Sequence, residues 1–231
     1  MSAVASVQPK KSRLQFLQRV AFCLAVVLFV KTLVMVVAEY RNYFPANFES
    51  NFLSGKEAFF AGSYQYAFYI HICTGPIVLL IAAWLMFSGT RKPYLRLHRV
   101  LGKSLVYLTL FFMLPSGLVM ATRALTGPIA GVSFFLLSGL TAVSIVMSAW
   151  HARNRRFVVH RVWATRSFLL LASPLALRLM TGATIFLDVE TEWTYRFAAW
   201  GSWLIPLAAF ELRRWIQMRQ VQTKSRMGVT L

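Results

Sequence analysis

Acidic side chains are scarce in this sequence. Seven of its 231 residues are Asp or Glu, against 25 Lys and Arg and four His, which gives a formal net charge of +18. Charged residues of both signs make up 14% of the chain, where a soluble domain carries about a quarter. So few charges cannot cover a water-facing surface when 58% of the residues are hydrophobic. The two cysteines, Cys23 and Cys73, each sit inside an apolar run, which excludes a disulfide framework and any metal-binding spacing. A nucleotide-binding glycine loop, a Gly-x-Ser-x-Gly elbow, a His-Glu-x-x-His helix and a Cys-x-x-Cys pair are all missing.

Long apolar runs are what the chain does have. A membrane-spanning helix needs about 20 mostly apolar residues. Segments 17–38, 66–88, 101–122, 130–150, 160–183 and 197–216 qualify, and the fifth is the least apolar because it holds Arg166 and Arg178. The sequence therefore reads as an all-α polytopic membrane helix bundle with six transmembrane helices over 17–219. Residues 1–16 and 220–231 read as cytoplasmic basic tails. The first run, with its basic leader, resembles a signal peptide, but its length and Lys31 favour a retained anchor.

Basic loops stay on the cytoplasmic side. Arg91, Lys92, Arg96 and Arg99 follow the second run, and Arg153, Arg155, Arg156 and Arg161 follow the fourth. Both termini are thus expected in the cytoplasm. No acid falls at mid-membrane, so a carboxylate proton relay is absent from this segmentation. The basic residues lie in short stretches between apolar runs, which points to the lipid bilayer as partner and away from nucleic acid.

Histidines supply the first candidate chemistry. Leu97-His98-Arg99-Val100 opens the third run and Val159-His160-Arg161-Val162 opens the fifth, a repeat at an offset of about 62 residues. His98 and His160 therefore start two parallel helices at similar depth. A haem b needs two neutral imidazoles on opposite sides of its iron, and a helix start disfavours imidazolium. Gly102 and Ala164, one turn further in, leave room for a flat macrocycle, and Arg99, Arg161 and Arg166, with Lys103, are positioned for its propionates. The alternative reading is that each His-Arg pair is an interfacial anchor. His151 reads as a helix-end residue. No other metal site is indicated.

Lys31, His71 and Arg178 form a second set, toward the outer face. Ionisable groups at such depth usually face a bundle interior or a water-filled cavity. They are candidates for one outward-facing cationic pocket for an anionic small molecule or lipid headgroup. The alternative is that Lys31 and Arg178 snorkel to the interface and pair with Asp188, Glu190 and Glu192.

Several of these residues fall in a recognisable arrangement: His71 with Gly75, Leu97-His98-Arg99-Val100-Leu101-Gly102 with Tyr107, Ser116-Gly117, His160-Arg161-Val162-Trp163 with Arg166, and Leu177-Arg178-Leu179. Over about residues 64–182 the chain resembles the prokaryotic predicted membrane proteins grouped as domain of unknown function 2306. The resemblance implies a multi-helix membrane domain without an established activity. More distantly the chain is similar to the superfamily of b-type membrane cytochromes and ferric reductases, whose members hold haem between transmembrane histidines. It departs from their two-haem pattern, because His71 has no histidine partner in the outer half of the later helices.

Three functions stay open at this point, and whether the protein is an enzyme is open with them. One is a redox protein carrying a haem b and served by a quinone or a cytoplasmic donor. Another is a non-redox binding or transport protein using the outer pocket, and the third is a structural or assembly protein. The charge bias makes a direct prediction about orientation. A reporter fused after Ser88 or Trp150 should read as cytoplasmic, and one fused within 184–195 as external. Labelling of residues 89–100 by an impermeant reagent in intact cells would reverse the orientation.

Overall fold

A computed structural model describes residues 9–50, 52–88 and 94–228. The chain divides into two compact units, residues 1–53 and 54–231. The first contains α1 (Pro9–Ala38) and a 3-10 turn over Glu39–Asn42. Helix α1 begins at Pro9, inside the stretch read from sequence as a tail. Tyr40 packs against Tyr43 and Phe44 just beyond it.

The second unit is helical throughout its described residues. A short α2 (Glu57–Phe60) precedes α3 (Ser63–Phe87). Next come α4 (Leu95–Leu108), a π-helical turn over Thr109–Met113 and α5 (Leu114–Ala121), which together form one continuous rod. Helix α6 (Pro128–Arg153) returns across the bundle, and α7 (Phe157–Leu171) and α8 (Ser173–Phe186) form a second composite rod. Helix α9 (Glu192–Gly228) closes the unit.

Proline and glycine explain the breaks. Pro115 has no N–H to give to the carbonyl four residues back, and the preceding turn widens, with Leu114 bonding to the Thr109 carbonyl five residues away. Pro174 likewise has no N–H to give at the α7–α8 junction, where a turn at Ala172 separates the two helices without widening. Gly127 holds φ +79° before α6, a left-handed conformation that side chains with a Cβ rarely adopt, and Pro128 then occupies the first turn.

Among the described residues, four helices are long and apolar enough to cross a membrane: Ser63–Phe87, Leu95–Ala121, Pro128–Arg153 and Phe157–Phe186. The expected second to fifth runs correspond to these four. Helices α1 and α9 also have the length, 30 and 37 residues; apart from Lys31 the basic residues of α1 lie at or before Arg19, and charged, Trp and Tyr residues dilute α9. Helix α9 also extends through most of the stretch read as the C-terminal tail, to Gly228.

The four spans pack as a ring. Helix α3 packs on the α4–α5 rod and on α7, while α6 packs on that same rod and on α7. This leaves α4 and α7 on one diagonal and α3 and α6 on the other. Short connections make neighbours antiparallel, so α4 and α7 start at the same end. Val78 and Ala82 of α3, Leu105 of α4, Ile145 of α6 and Leu171 of α7 fill the middle.

Helix α9 docks outside the ring through small residues. Trp203 Nε1 donates to Ser133 Oγ at 3.0 Å, and Ser133 Oγ donates to the Ala199 carbonyl at 2.9 Å. Trp200 Nε1 reaches the Ile129 carbonyl at 3.2 Å. Backbones approach closely between α5 and α6, where a Cβ added at Gly131 would meet the Ala121 carbonyl oxygen at 2.7 Å. Backbone cannot step aside as a flexible side chain can. Gly131→Ala should therefore lower stability by about 1–3 kcal/mol, read as thermal unfolding in detergent. The same change at Gly139, where an added Cβ meets nothing within 4 Å, should leave the transition in place.

Candidate functional site

His98 and His160 are each the fourth residue of their helices, α4 and α7. They lie at the same end of the ring, on its diagonal. The α6–α7 turn sets the His160 ring. Its Nδ1 lies 2.9 Å from the Ser148 carbonyl oxygen and 3.1 Å from Ser148 Oγ. A carbonyl can only accept, so Nδ1 carries the proton and Nε2 keeps its lone pair. This arrangement, a ring N–H tied to a backbone carbonyl, orients histidines that ligate metals. The buried Nδ1 of His98 has no hydrogen-bond partner among the described residues.

His151 lies at the same end, at the last turn of α6. It is buried edge-on against Trp150, with ring centroids 4.6 Å apart, and its Nδ1 also lacks a partner. Among the described residues no group of three or more His, Cys, Asp or Glu is placed to hold a metal ion.

Arg166 has a different partner from the one expected. Its Nε donates to Glu211 Oε1 at 2.6 Å and its Nη2 to Glu211 Oε2 at 3.0 Å, a fork across α7 and α9. The guanidinium also lies over the Trp163 ring, 4.3 Å from its centroid, and Arg214 approaches Glu211 at 3.7 Å. Arg166 is thus occupied within the protein. Arg99 and Arg161 are exposed and have no ion pair among the described residues.

A haem suits part of this arrangement. His98 and His160 start diagonal helices at the same end, one with its tautomer fixed so that Nε2 is free to ligate and the other with an unsatisfied ring nitrogen. A Cβ added at Gly102, one turn in from His98, would meet nothing within 4 Å. His98 and His160 would hold the iron and Arg99 and Arg161 the propionates, with Arg166 held in reserve by Glu211.

The second candidate set is divided between the two units. Lys31 is exposed on α1, in the first unit. Arg178, on α8, is exposed and acts electrostatically on Tyr195 of α9. His71, on α3, is half-buried. Its Nδ1 lies 3.2 Å from the Met113 carbonyl oxygen and 3.3 Å from Ser116 Oγ. No hydrogen bond joins His71 to Arg178 among the described residues.

Glu211, Ser148 and the Met113 carbonyl were beyond reach of the sequence. Only Glu211 left a signal, as the single acid inside the sixth apolar run, 197–216. The Arg166–Glu211 fork should be measurable. Glu211→Gln should cost about 1–2 kcal/mol of thermal stability, below the value for a fully buried pair because Glu211 is 39% exposed. A double-mutant cycle with Arg166→Gln should give a coupling energy above ~0.5 kcal/mol, and additive losses would show that the fork contributes nothing.

No curated protein and no solved structure matches the chain. A family model described as "Predicted membrane protein (DUF2306)" matches residues 68–213, which covers the four-span ring and the first half of α9. That match takes in more than half of the chain, His71, His98 and His160 included, and the chain accordingly belongs to this family of predicted membrane proteins.

Proposed function

We propose that this protein is a membrane redox protein that holds one haem b between His98 and His160. The observation that carries the reading is the pairing itself. Two histidines start diagonal helices at equivalent positions and at the same end of the ring, and one has its Nδ1–H tied to the Ser148 carbonyl. Bundle proteins build cofactor sites from facing helices in this way.

In the same reading the chain crosses a prokaryotic cytoplasmic membrane six times, with α1 and α9 as first and last spans and both termini inside. The charge bias of the loops supports that orientation. The His98–His160 end is then cytoplasmic, where Arg99 and Arg161 also lie within reach of lipid phosphates. A bound haem would supply one-electron transfer, and a quinone or a cytoplasmic donor would be its partner. The protein's own groups orient the ligands. Ser148 fixes the His160 tautomer, and the Arg166–Glu211 fork holds α7 against α9.

Absorption spectroscopy tests the proposal. Protein purified in mild detergent from haem-sufficient cells should show a Soret band and the sharp reduced bands of low-spin haem b. His98→Ala or His160→Ala should abolish the low-spin spectrum, because each opens one axial position. His151→Ala should leave it intact. A colourless wild-type protein, folded and monodisperse, would remove the haem reading.

A further inference from the structure

His71 is a built acceptor site that the haem reading does not use. Pro115 leaves a helix carbonyl without its donor, and the adjoining π-helical turn re-spaces the others. Ser116 Oγ donates to Phe112 O at 2.6 Å and lies 3.0 Å from Met113 O, so its one proton is committed to the helix. Toward His71 both nearby oxygens can then only accept. The His71 Nδ1 must be the donor, and its Nε2 keeps a bare lone pair. Nε2 makes no hydrogen bond among the described residues.

The surroundings give this lone pair space. Gly117 clears one side of the ring, where an added Cβ would meet His71 Cε1 at 3.2 Å. Gly75, one turn further along the same face of α3, is open, and an added Cβ there meets nothing within 4 Å. One turn earlier on α3, Phe68 is wholly buried and packs edge-on against Phe60, which also meets Tyr64. A neutral acceptor in an apolar, aromatic setting selects a neutral hydroxyl donor and gives an anion no attraction.

We propose that His71 Nε2 accepts a hydrogen bond from the hydroxyl of a quinol-type aromatic bound beside Gly75. The proposal rests on the geometry of His71 alone and stands whether or not His98 and His160 hold haem. The site lies eight residues into α3, about 12 Å along the helix from its start. It is in the opposite half of the bundle from His98 and open to a ligand that partitions into lipid.

The full-length protein in phosphatidylcholine nanodiscs, kept anaerobic, can be titrated with tetramethylhydroquinone and with its dimethyl ether, which has no donor. Wild type should bind the quinol about tenfold more tightly than the ether, the worth of one neutral hydrogen bond. His71→Asn places an amide N–H near the Nδ1 position and removes the Nε2 acceptor. It should lose that preference while keeping its melting temperature. His71→Gln, whose carbonyl reaches the Nε2 position, should restore part of it. Gly75→Leu should abolish binding by filling the space. Equal affinity of wild type for quinol and ether would overturn the proposal, as would unchanged quinol preference in His71→Asn, which would make His71 a structural residue. Unchanged binding in Gly75→Leu would overturn the assigned space.

Discussion

Inside a hydrocarbon slab no water is available to complete a hydrogen bond, so each polar group on a spanning helix must find a partner within the protein. Much of the detail in this ring follows from that constraint. Thr74, Ser138, Thr141, Ser167 and Thr181 turn their hydroxyls back onto carbonyls of their own helices. Trp203 and Trp200 spend their indole N–H groups on α6, which fixes where α9 docks. Arg166 and Glu211 satisfy each other across α7 and α9. Such contacts are individually modest in membranes, but they choose one packing among many that are equally apolar.

The same constraint gives the irregular turns their meaning. A proline within a spanning helix frees a carbonyl, and something must take it up. Around Pro115 the Ser116 hydroxyl and the His71 ring fill the local hydrogen-bonding capacity, and His71 gains a fixed tautomer in return. Close by, the wholly buried Thr109 hydroxyl has no partner among the described residues, and the same is true of Ser173 beside Pro174. These two hydroxyls sit at the two breaks, where regular helix packing is interrupted.

Hydropathy made the four central spans legible, because 20 apolar residues in lipid have few alternatives to a helix. It was less informative at the ends. Helices α1 and α9 run on through basic stretches read as tails, since helix propensity does not stop where apolar character does. The equivalence of His98 and His160 was visible as a sequence echo. What gives each ring its chemistry was not. The Ser148 clamp depends on the tight α6–α7 turn, and the Met113 clamp on a π-helical turn 42 residues from His71. Arg166 looked like a free cation because its partner lies 45 residues away, on a helix whose register against α7 no local pattern encodes.

His71 and His160 share one device, a ring N–H held by a helix carbonyl with Nε2 left bare, yet they stand in different company. His160 starts α7 at the same end of the ring as His98 starts α4, on the diagonal. His71 occupies the other diagonal, and α6 opposite it has no histidine before His151, at its far end. On the proposed reading the first diagonal carries the axial pair of a haem, whereas His71 offers a single hydrogen-bond acceptor in the opposite half, and the apolar layer of Val78, Leu105, Ile145 and Leu171 separates the two.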